Sequence, residues 1–503
     1  MPLTSFKTVQ SLLLVASSCL LLACSNSNNS NDVTGGSEYL PIENPVVSMP
    51  PDEGAINLLA QNFDLGSVGY EQAEYFLEGT ASAFTNVNEL GPDGMWTVEP
   101  GEQAAYKTRI VVYRPIDPAD FNGNVLVEWL NVTAGFETPP SWGTGQLEMR
   151  RGGSVWVGVS AQIVGIEGSP RALLPLYLKA VNPARYGSLV HPGDSFSYDM
   201  FTQVAQAIRN PSGIDPLDGL VAERLIAYGE SQSAGRLVTY VNAIQPLYNS
   251  YDGYMIHSRG DGSSPLAQEP QVEIATPSAP LVRTDLNVPV FTFETETDVV
   301  FLEFLKARQP DTDMIRTWEV AGTAHGDYYT FVSGRDDTVG DPIFASVVEE
   351  NSVLGFITCD RPMNNGPQHY VFNRAVRALN DWVANGTLPA TSPRLQANDD
   401  GSDYLYDDLG NALGGIRTPY VDAPSAVLRG EPNEGNSFCR LFGTTELFSA
   451  EQMASLYGDE DGFVSAVTAA TNAAVAADFL LQEDADAIIT WAPQQWRAQT
   501  TPE

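Results

Sequence analysis

The sequence predicts an α/β fold on a mostly parallel sheet, and three observations carry that expectation. Short β-branched runs alternate with segments whose apolar residues recur at helical spacing. Some of these runs, such as residues 155–160 (VWVGVS), are apolar almost throughout, as in strands covered on both faces. One run, residues 225–229 (LIAYG), leads with no intervening loop into small residues and then a helical segment.

Taken in order, residues 108–114 (TRIVVYR) read as a strand by β-branched content. Asn122-Gly123 marks a turn, and residues 125–129 (VLVEW) continue as a strand. After the strand at 155–160, residues 195–209 carry Phe201, Val204, Ala205 and Ile208 on one helical face. The strand at 225–229 is followed by a helix over 236–244, with Leu237, Val241 and Ile244 aligned. Strands are predicted at 254–257, 288–293 and 316–321. Phe372, Ala375, Leu379 and Trp382 then mark an amphipathic helix that Gly386 stops. The segment before Thr108 lacks clear periodicity and is read as extra edge strands and loops. These would be an N-terminal β addition within a core spanning residues 39–386. Residues 387–503 read as a C-terminal extension packed on that core. Pro389, Pro393 and the acidic run 398–408 form a surface linker. Ser449 and Gln452 make a capping box, and Phe463, Val467, Ala470 and Ala474 form a packing stripe on an alanine-rich helix.

With 503 residues, 43% hydrophobic and 18% charged, the chain has the make-up of a folded protein. The 63 acidic residues outweigh 26 basic ones, for a net charge of −37. That balance excludes a nucleic-acid binder and a binder of anionic membrane surfaces, since both need a basic face. Lysine occurs only at Lys7, Lys107, Lys179 and Lys306, a composition that stays soluble in salt.

Residues 1–24 begin with one cation, Lys7, followed by an apolar run from Ser11 to Ala23. The run is shorter than the ~20 residues a bilayer span needs and reads as an export signal. It ends Leu21-Leu22-Ala23-Cys24, which resembles a bacterial lipobox and implies cleavage before Cys24 and lipidation of its thiol. Ser25 stands where a retention signal would show Asp, so the expected location is an exported protein anchored by lipid. By resemblance the anchor lies in the outer membrane where the cell has one. Residues 25–38 (SNSNNSNDVTGGSE) bury too little apolar surface to order and read as a tether. Cys359 and Cys439 remain, and an oxidising compartment is expected to pair them.

The chemistry centres on Tyr228-Gly229-Glu230-Ser231-Gln232-Ser233-Ala234-Gly235. A nucleophile elbow needs a strand, a sharp turn bearing the serine, small residues two places either side, and then a helix. Ser231 fits with Gly229 and Ser233 as its small neighbours. Ser233 is the alternative, with Ser231 and Gly235 in that role. A serine hydroxyl needs a base, and the chain holds His191, His257, His325 and His369. His325 lies past a predicted strand and downstream of the serine, in the order Ser…Asp/Glu…His. His369 is the runner-up, His257 is expected near the site floor, and His191 in a loop. The acid that orients the imidazole should follow the strand at 288–293. Asp298 suits best and Glu296 is the alternative, because Glu294 still belongs to the strand. An oxyanion site would use the backbone amide of Gln232 with that of Val132 or Thr133, in the loop that Asn131 opens.

The segments VEWLNVTAG, WVGVSAQ, YGESQSAGR, HSRGDG, VAGTAHGDYY, NNGPQHYV, GNALGGIRTPYVD and CRLFG resemble a family of exported bacterial α/β-hydrolase domain proteins. The resemblance covers most of the chain after the leader. It implies an α/β-hydrolase fold with Ser231, Asp298 and His325 as the triad. Ser233 stands where the common pentapeptide has Gly, which keeps the two serines open as alternatives. The expected function is a lipid-anchored serine hydrolase acting on small-molecule or lipid-like esters through an acyl-enzyme. A peptidase or amidase on the same residues, and an inactive binding scaffold, are the alternatives. Asn131, Arg259 and Asp261 are candidate substrate contacts, although the last two could instead pair with each other. No cofactor and no metal is expected: Asp400-Gly401 and Asp461-Gly462 lack the terminal glutamate of a calcium loop. The membrane would be met through Cys24 alone, and the oligomeric state is left open.

Overall fold

The computed structural model describes residues 39–51, 54–170, 172, 174–353, 355 and 357–501. The expected signal peptide, tether and lipidated Cys24 lie outside the described residues. Ten strands form one sheet: β1 (Val46–Ser48), β2 (Tyr70–Asn86), β3 (Val98–Pro115), β4 (Asn124–Trp129), β5 (Val155–Val159), β6 (Ser212–Gly213), β7 (Arg224–Glu230), β8 (Gly253–His257), β9 (Val290–Thr295) and β10 (Ile315–Val320). Their order is β10-β9-β8-β7-β4-β5-β3-β2-β1-β6. From β10 to β5 every neighbouring pair is parallel, whereas β3 runs antiparallel to both β5 and β2. The expected α/β architecture with a mostly parallel sheet is therefore observed.

The apolar runs form strands because both faces of the sheet are covered. On β4, Val125, Val127 and Trp129 enter one core while Leu126 enters the other. The first face packs against the helices Ser197–Arg209 and Gln232–Thr239 through Phe201, Val204 and Leu237. The second packs against Pro140–Arg151 and Gln368–Asn385 through Trp142, Phe372 and Leu379. Phe463 and Ile488, from the helices Glu460–Ala476 and Gln482–Thr500, join that same second core. The capping box of Ser449 and Gln452 is present in full.

The strands expected before Thr108 are present, and three features differ in detail from the expected elements. The segment before Thr108 is dominated by β2 and β3, paired as a long antiparallel ribbon whose register shifts between Ser82 and Phe84. That bulge breaks the alternation by which a strand is recognised. The helix 236–244 begins earlier, at Gln232, and ends in a π turn over Tyr240–Ile244. The helix Pro140–Arg151 carries Gly143 and Gly145, poor helix formers, and was not anticipated. A Cβ on Gly145 would lie 2.8 Å from the Phe372 ring, so close helix packing requires the glycine. The Glu128 carboxylate at the end of β4 accepts from the first amides of this helix, Ser141 (2.8 Å) and Trp142 (3.0 Å), and from Trp156 Nε1 (2.9 Å). Strand and helix are thereby locked together directly beneath the loop that follows β4.

Candidate active site

Ser231 occupies the turn between β7 and the helix Gln232–Thr239 with φ 59° and ψ −119°. A non-glycine residue there costs about 1–3 kcal/mol and persists only when its surroundings hold it. Two bonds do so: the Ser231 amide donates to the His257 carbonyl on β8 (2.9 Å), and its carbonyl accepts from Gly235 N–H (3.1 Å). A Cβ on Gly229 would meet the Ser233 carbonyl at 2.8 Å, which explains the small residue ahead of the turn. Ser233 lies inside the helix, fully buried, and its hydroxyl has no partner among the described residues. The structure thus puts Ser231, and not Ser233, at the rim.

His325 sits in the loop after β10, its amide donating to Thr297 Oγ1 (3.2 Å). Its Nε2 is 2.8 Å from Ser231 Oγ and its Nδ1 is 2.6 Å from Asp298 Oδ1. The other oxygen of Asp298 accepts from both the amide and the hydroxyl of Thr295, each at 2.7 Å. This carboxylate is therefore fixed on both sides. Glu296 points elsewhere: its two oxygens accept from the amides of Gly322 (2.6 Å) and Gly430 (2.8 Å). Burial pushes its carboxyl up to about 7. It ties the acid-bearing turn and the histidine loop to the C-terminal region.

Glu230, the last residue of β7, went unrecognised in the sequence. It is buried, with Oε1 3.4 Å from His325 Nε2 and Oε2 accepting from Asn131 Nδ2 at 3.3 Å. Burial raises its carboxyl to about 8, opposed by the His325 charge and reinforced by Asp298 and Glu128. For His325 burial disfavours the charged ring, but the Asp298 and Glu230 carboxylates outweigh it and raise the imidazole to about 9. The signal was available: an acid closing an otherwise apolar strand, adjacent to the turn serine.

His257 is buried on β8, stacked on Phe372 (4.2 Å between centroids) and lowered to about 3 by burial and by His325. His369 stacks on Tyr329 at 3.5 Å and is likewise lowered to about 3 by burial. His191 approaches the Ala161 carbonyl at 3.0 Å through Nε2. Asn131 lines the cleft and holds the loop: its side chain donates to the Glu230 carbonyl (3.1 Å) and accepts from the Thr133 amide (2.8 Å). Gln232 exchanges side-chain hydrogen bonds with Gln162, and its amide opens the helix, where first-turn amides have no intrahelical acceptor. Arg259 and Asp261 are absent from the cleft lining. Arg259 is buried and donates to the carbonyls of Gly260, Asp261 and Pro280, with its guanidinium over Phe304. Carbonyls, not the Asp261 carboxylate, hold it.

Ser231, Glu230 and His325 open onto a cleft of about 960 Å³, counting space continuous with solvent. Its outer wall is apolar: Phe331, Val353, Ile357, Phe438, Leu441 and Phe442. Val353 and Ile357 lie on the small hairpin of Ser352–Val353 and Ile357–Thr358, and Phe438 and Leu441 on the turn Ser437–Leu441. The expected pairing of Cys359 with Cys439 is present and clamps these two pieces to each other. Among the described residues, no cluster of three or more His, Cys, Asp or Glu side chains is placed to hold a metal ion.

Solved structures resemble parts of this chain. A Xanthomonas campestris protein described as an α/β serine hydrolase without lid is 12% identical, over 49% of this chain and 86% of its own, with a TM-score of 0.26. A fungal esterase of Rhizomucor miehei is 13% identical, over 53% of this chain and 84% of its own, with a TM-score of 0.25. A thermostable esterase of Pseudomonas putida is 12% identical, over 52% of this chain and 75% of its own, with a TM-score of 0.24. No curated protein matches the chain in sequence. A family model described as alpha/beta hydrolase domain matches residues 42–490, nearly the whole described chain, and the protein belongs to that family.

Proposed function

We propose that the protein is a serine hydrolase that cleaves carboxylic esters. The observation that carries this reading is the continuous hydrogen-bonded line from Ser231 Oγ through His325 to Asp298, at 2.8 and 2.6 Å, opening on an apolar cleft. In the acylation step Ser231 Oγ attacks the ester carbonyl while His325 Nε2 takes its proton. Collapse of the tetrahedral intermediate breaks the carbon–oxygen bond, and His325 returns the proton to the leaving alcohol. Water, deprotonated by the same nitrogen, then releases the acid. Asp298 holds the imidazole with Nδ1 protonated. The oxyanion is taken by the Gln232 amide and, because Asn131 already engages Thr133, by the Val132 amide. An ester fits better than a charged polymer, because the cleft that Ser231 lines offers aromatic and aliphatic surface.

In this reading the enzyme works outside the cytoplasm, tethered through a lipidated Cys24. The disulfide is compatible with an oxidising compartment, and Cys24→Ser is expected to shift the protein from the membrane fraction to the soluble one. The test of the activity is a panel of p-nitrophenyl esters set beside peptide p-nitroanilides. Ester turnover that Ser231→Ala abolishes is expected. Turnover of anilides alone would make the enzyme an amidase, and turnover of neither would leave a binding scaffold.

A further inference from the structure

The cleft holds one cation that the reaction above does not use. Arg335 lies on its lining, at the end of the short turn Ser333–Arg335. Its backbone is fixed, with the carbonyl accepting from Asn62 N–H (2.8 Å) and the amide donating to Val332. Its side chain is not: Arg335 Nε is buried without a partner. Among the described residues it is the one arginine whose guanidinium makes no hydrogen bond, ion pair or ring contact. Its neighbours show the contrast. Arg150 donates to Gln146 and to the carbonyls of Asp337 and Thr338, Arg151 pairs with Glu148 and Asp484, and Arg440 lies over Phe301.

The acids nearest in sequence direct their hydrogen bonds elsewhere, and the Asp336 charge favours the Arg335 cation without touching it. Asp336 accepts from Asn62 Nδ2 at 3.0 Å. Asp337 accepts from Tyr329 Oη (2.8 Å) and from the amides of Val339 (3.2 Å) and Gly340 (2.6 Å). In a chain of net charge −37, an arginine that no acid touches by hydrogen bond or ion pair, on the lining of an apolar cleft, is out of keeping with the rest of the molecule. A planar guanidinium with free donors matches a carboxylate.

We propose that Arg335 anchors an anion at the end of the substrate remote from the scissile bond. Resting on the Ser231 reading, this makes the preferred substrates half-esters: an ester group, an apolar spacer along the aromatic wall, and a free carboxylate. The carboxylate belongs either to the acyl part or to the alcohol part, and the two are separable by experiment.

The test uses the full chain as wild type, Arg335→Gln and Arg335→Lys. On the acyl side, p-nitrophenyl half-esters of adipic, suberic and sebacic acids are compared with the neutral p-nitrophenyl hexanoate, octanoate and decanoate. On the alcohol side, butyrate esters of 6-hydroxyhexanoic and 8-hydroxyoctanoic acids are compared with hexyl and octyl butyrate. Wild type is expected to favour the anionic member in one arm by about tenfold or more in kcat/KM, mostly through KM, as for one charge-assisted contact. Arg335→Gln is expected to bring that ratio close to one, and Arg335→Lys to keep part of it. A wild-type ratio near one in both arms, or a ratio that survives Arg335→Gln, overturns the proposal. Binding separates its failure from that of the serine-hydrolase reading. Monomethyl adipate and monomethyl suberate are titrated by calorimetry into Ser231→Ala and into Ser231→Ala/Arg335→Gln. Weaker binding to the double variant supports the anchor even if no ester is turned over, and equal or undetectable binding to both overturns it.

Discussion

The two sides of the cleft are built in opposite ways. On the sheet side, polar groups are held from several directions: Asp298 by Thr295 and His325, Glu230 by Asn131 and His325, and the Ser231 turn by His257 and Gly235. On the outer side, apolar surfaces from separate stretches meet, and the Cys359–Cys439 bond clamps two of them. Bond-making chemistry needs atoms fixed to within about half an ångström, and the rigid strand ends supply that. Substrate selection needs a shape and an apolar surface, which loops can provide. Damage to the first side should therefore appear in kcat, and damage to the second in KM and stability.

The largest expected effect is on the sheet side. Ser231→Ala or His325→Ala should lower kcat by about 10⁴–10⁶-fold with little change in melting temperature, read from p-nitrophenyl ester kinetics and thermal unfolding. Asp298→Asn should cost about 10⁴-fold, since it reverses the donor at His325 Nδ1. Glu296→Gln sharpens the comparison. It sits in the same turn but faces Gly322 and Gly430, so it should lower stability by about 1–3 kcal/mol and cost far less activity than Asp298→Asn. If the two variants lose activity equally, the acid has been assigned to the wrong residue.

On the outer wall, replacing both cysteines by serine should cost about 2–4 kcal/mol of stability, since the bond closes a loop of 80 residues. It should raise KM for long-chain esters more than for acetate. An equal rise for both would mean that the clamp does not shape the acyl site. The smallest effect concerns pH. His325 acts as a base only when neutral, and its neighbours raise it to about 9, so kcat/KM should rise with pH into the alkaline range. Glu230 is one of the groups that favour the charged ring, so removing its charge lowers the imidazole. Glu230→Gln should accordingly move the rising limb to lower pH. An unmoved limb would leave Glu230 as packing alone.

The two sides also differ in how well the sequence announces them. The serine turn is a local event, a buried strand running into small residues, and local events leave local signatures. His325 and Asp298 follow from chain order relative to strands. The sequence already favoured Asp298, but what draws Glu296 away is visible only in the fold, because Gly430 is 134 residues from it. Arg259 and Asp261 sit past a strand end, where substrate contacts are sought, yet backbone carbonyls turn Arg259 inward. The helix Pro140–Arg151 was hidden because Gly145 serves the Phe372 contact at the expense of helix propensity. Strands before Thr108 were anticipated, but the length and pairing of the β2–β3 ribbon were not, because its register shift interrupts the alternation. The outer wall left almost no trace: Phe331, Ile357 and Phe442 come from separate stretches with no shared spacing, and only the cysteine pair hinted that two of those stretches meet.

In the proposed reaction everything depends on His325 activating the hydroxyl of Ser231. The most direct measurement of that activation is labelling with a fluorophosphonate followed by peptide mass mapping. A single adduct on Ser231, absent in His325→Ala, is the expected result. An adduct on Ser233, or a folded wild-type protein that takes up no label, would contradict it.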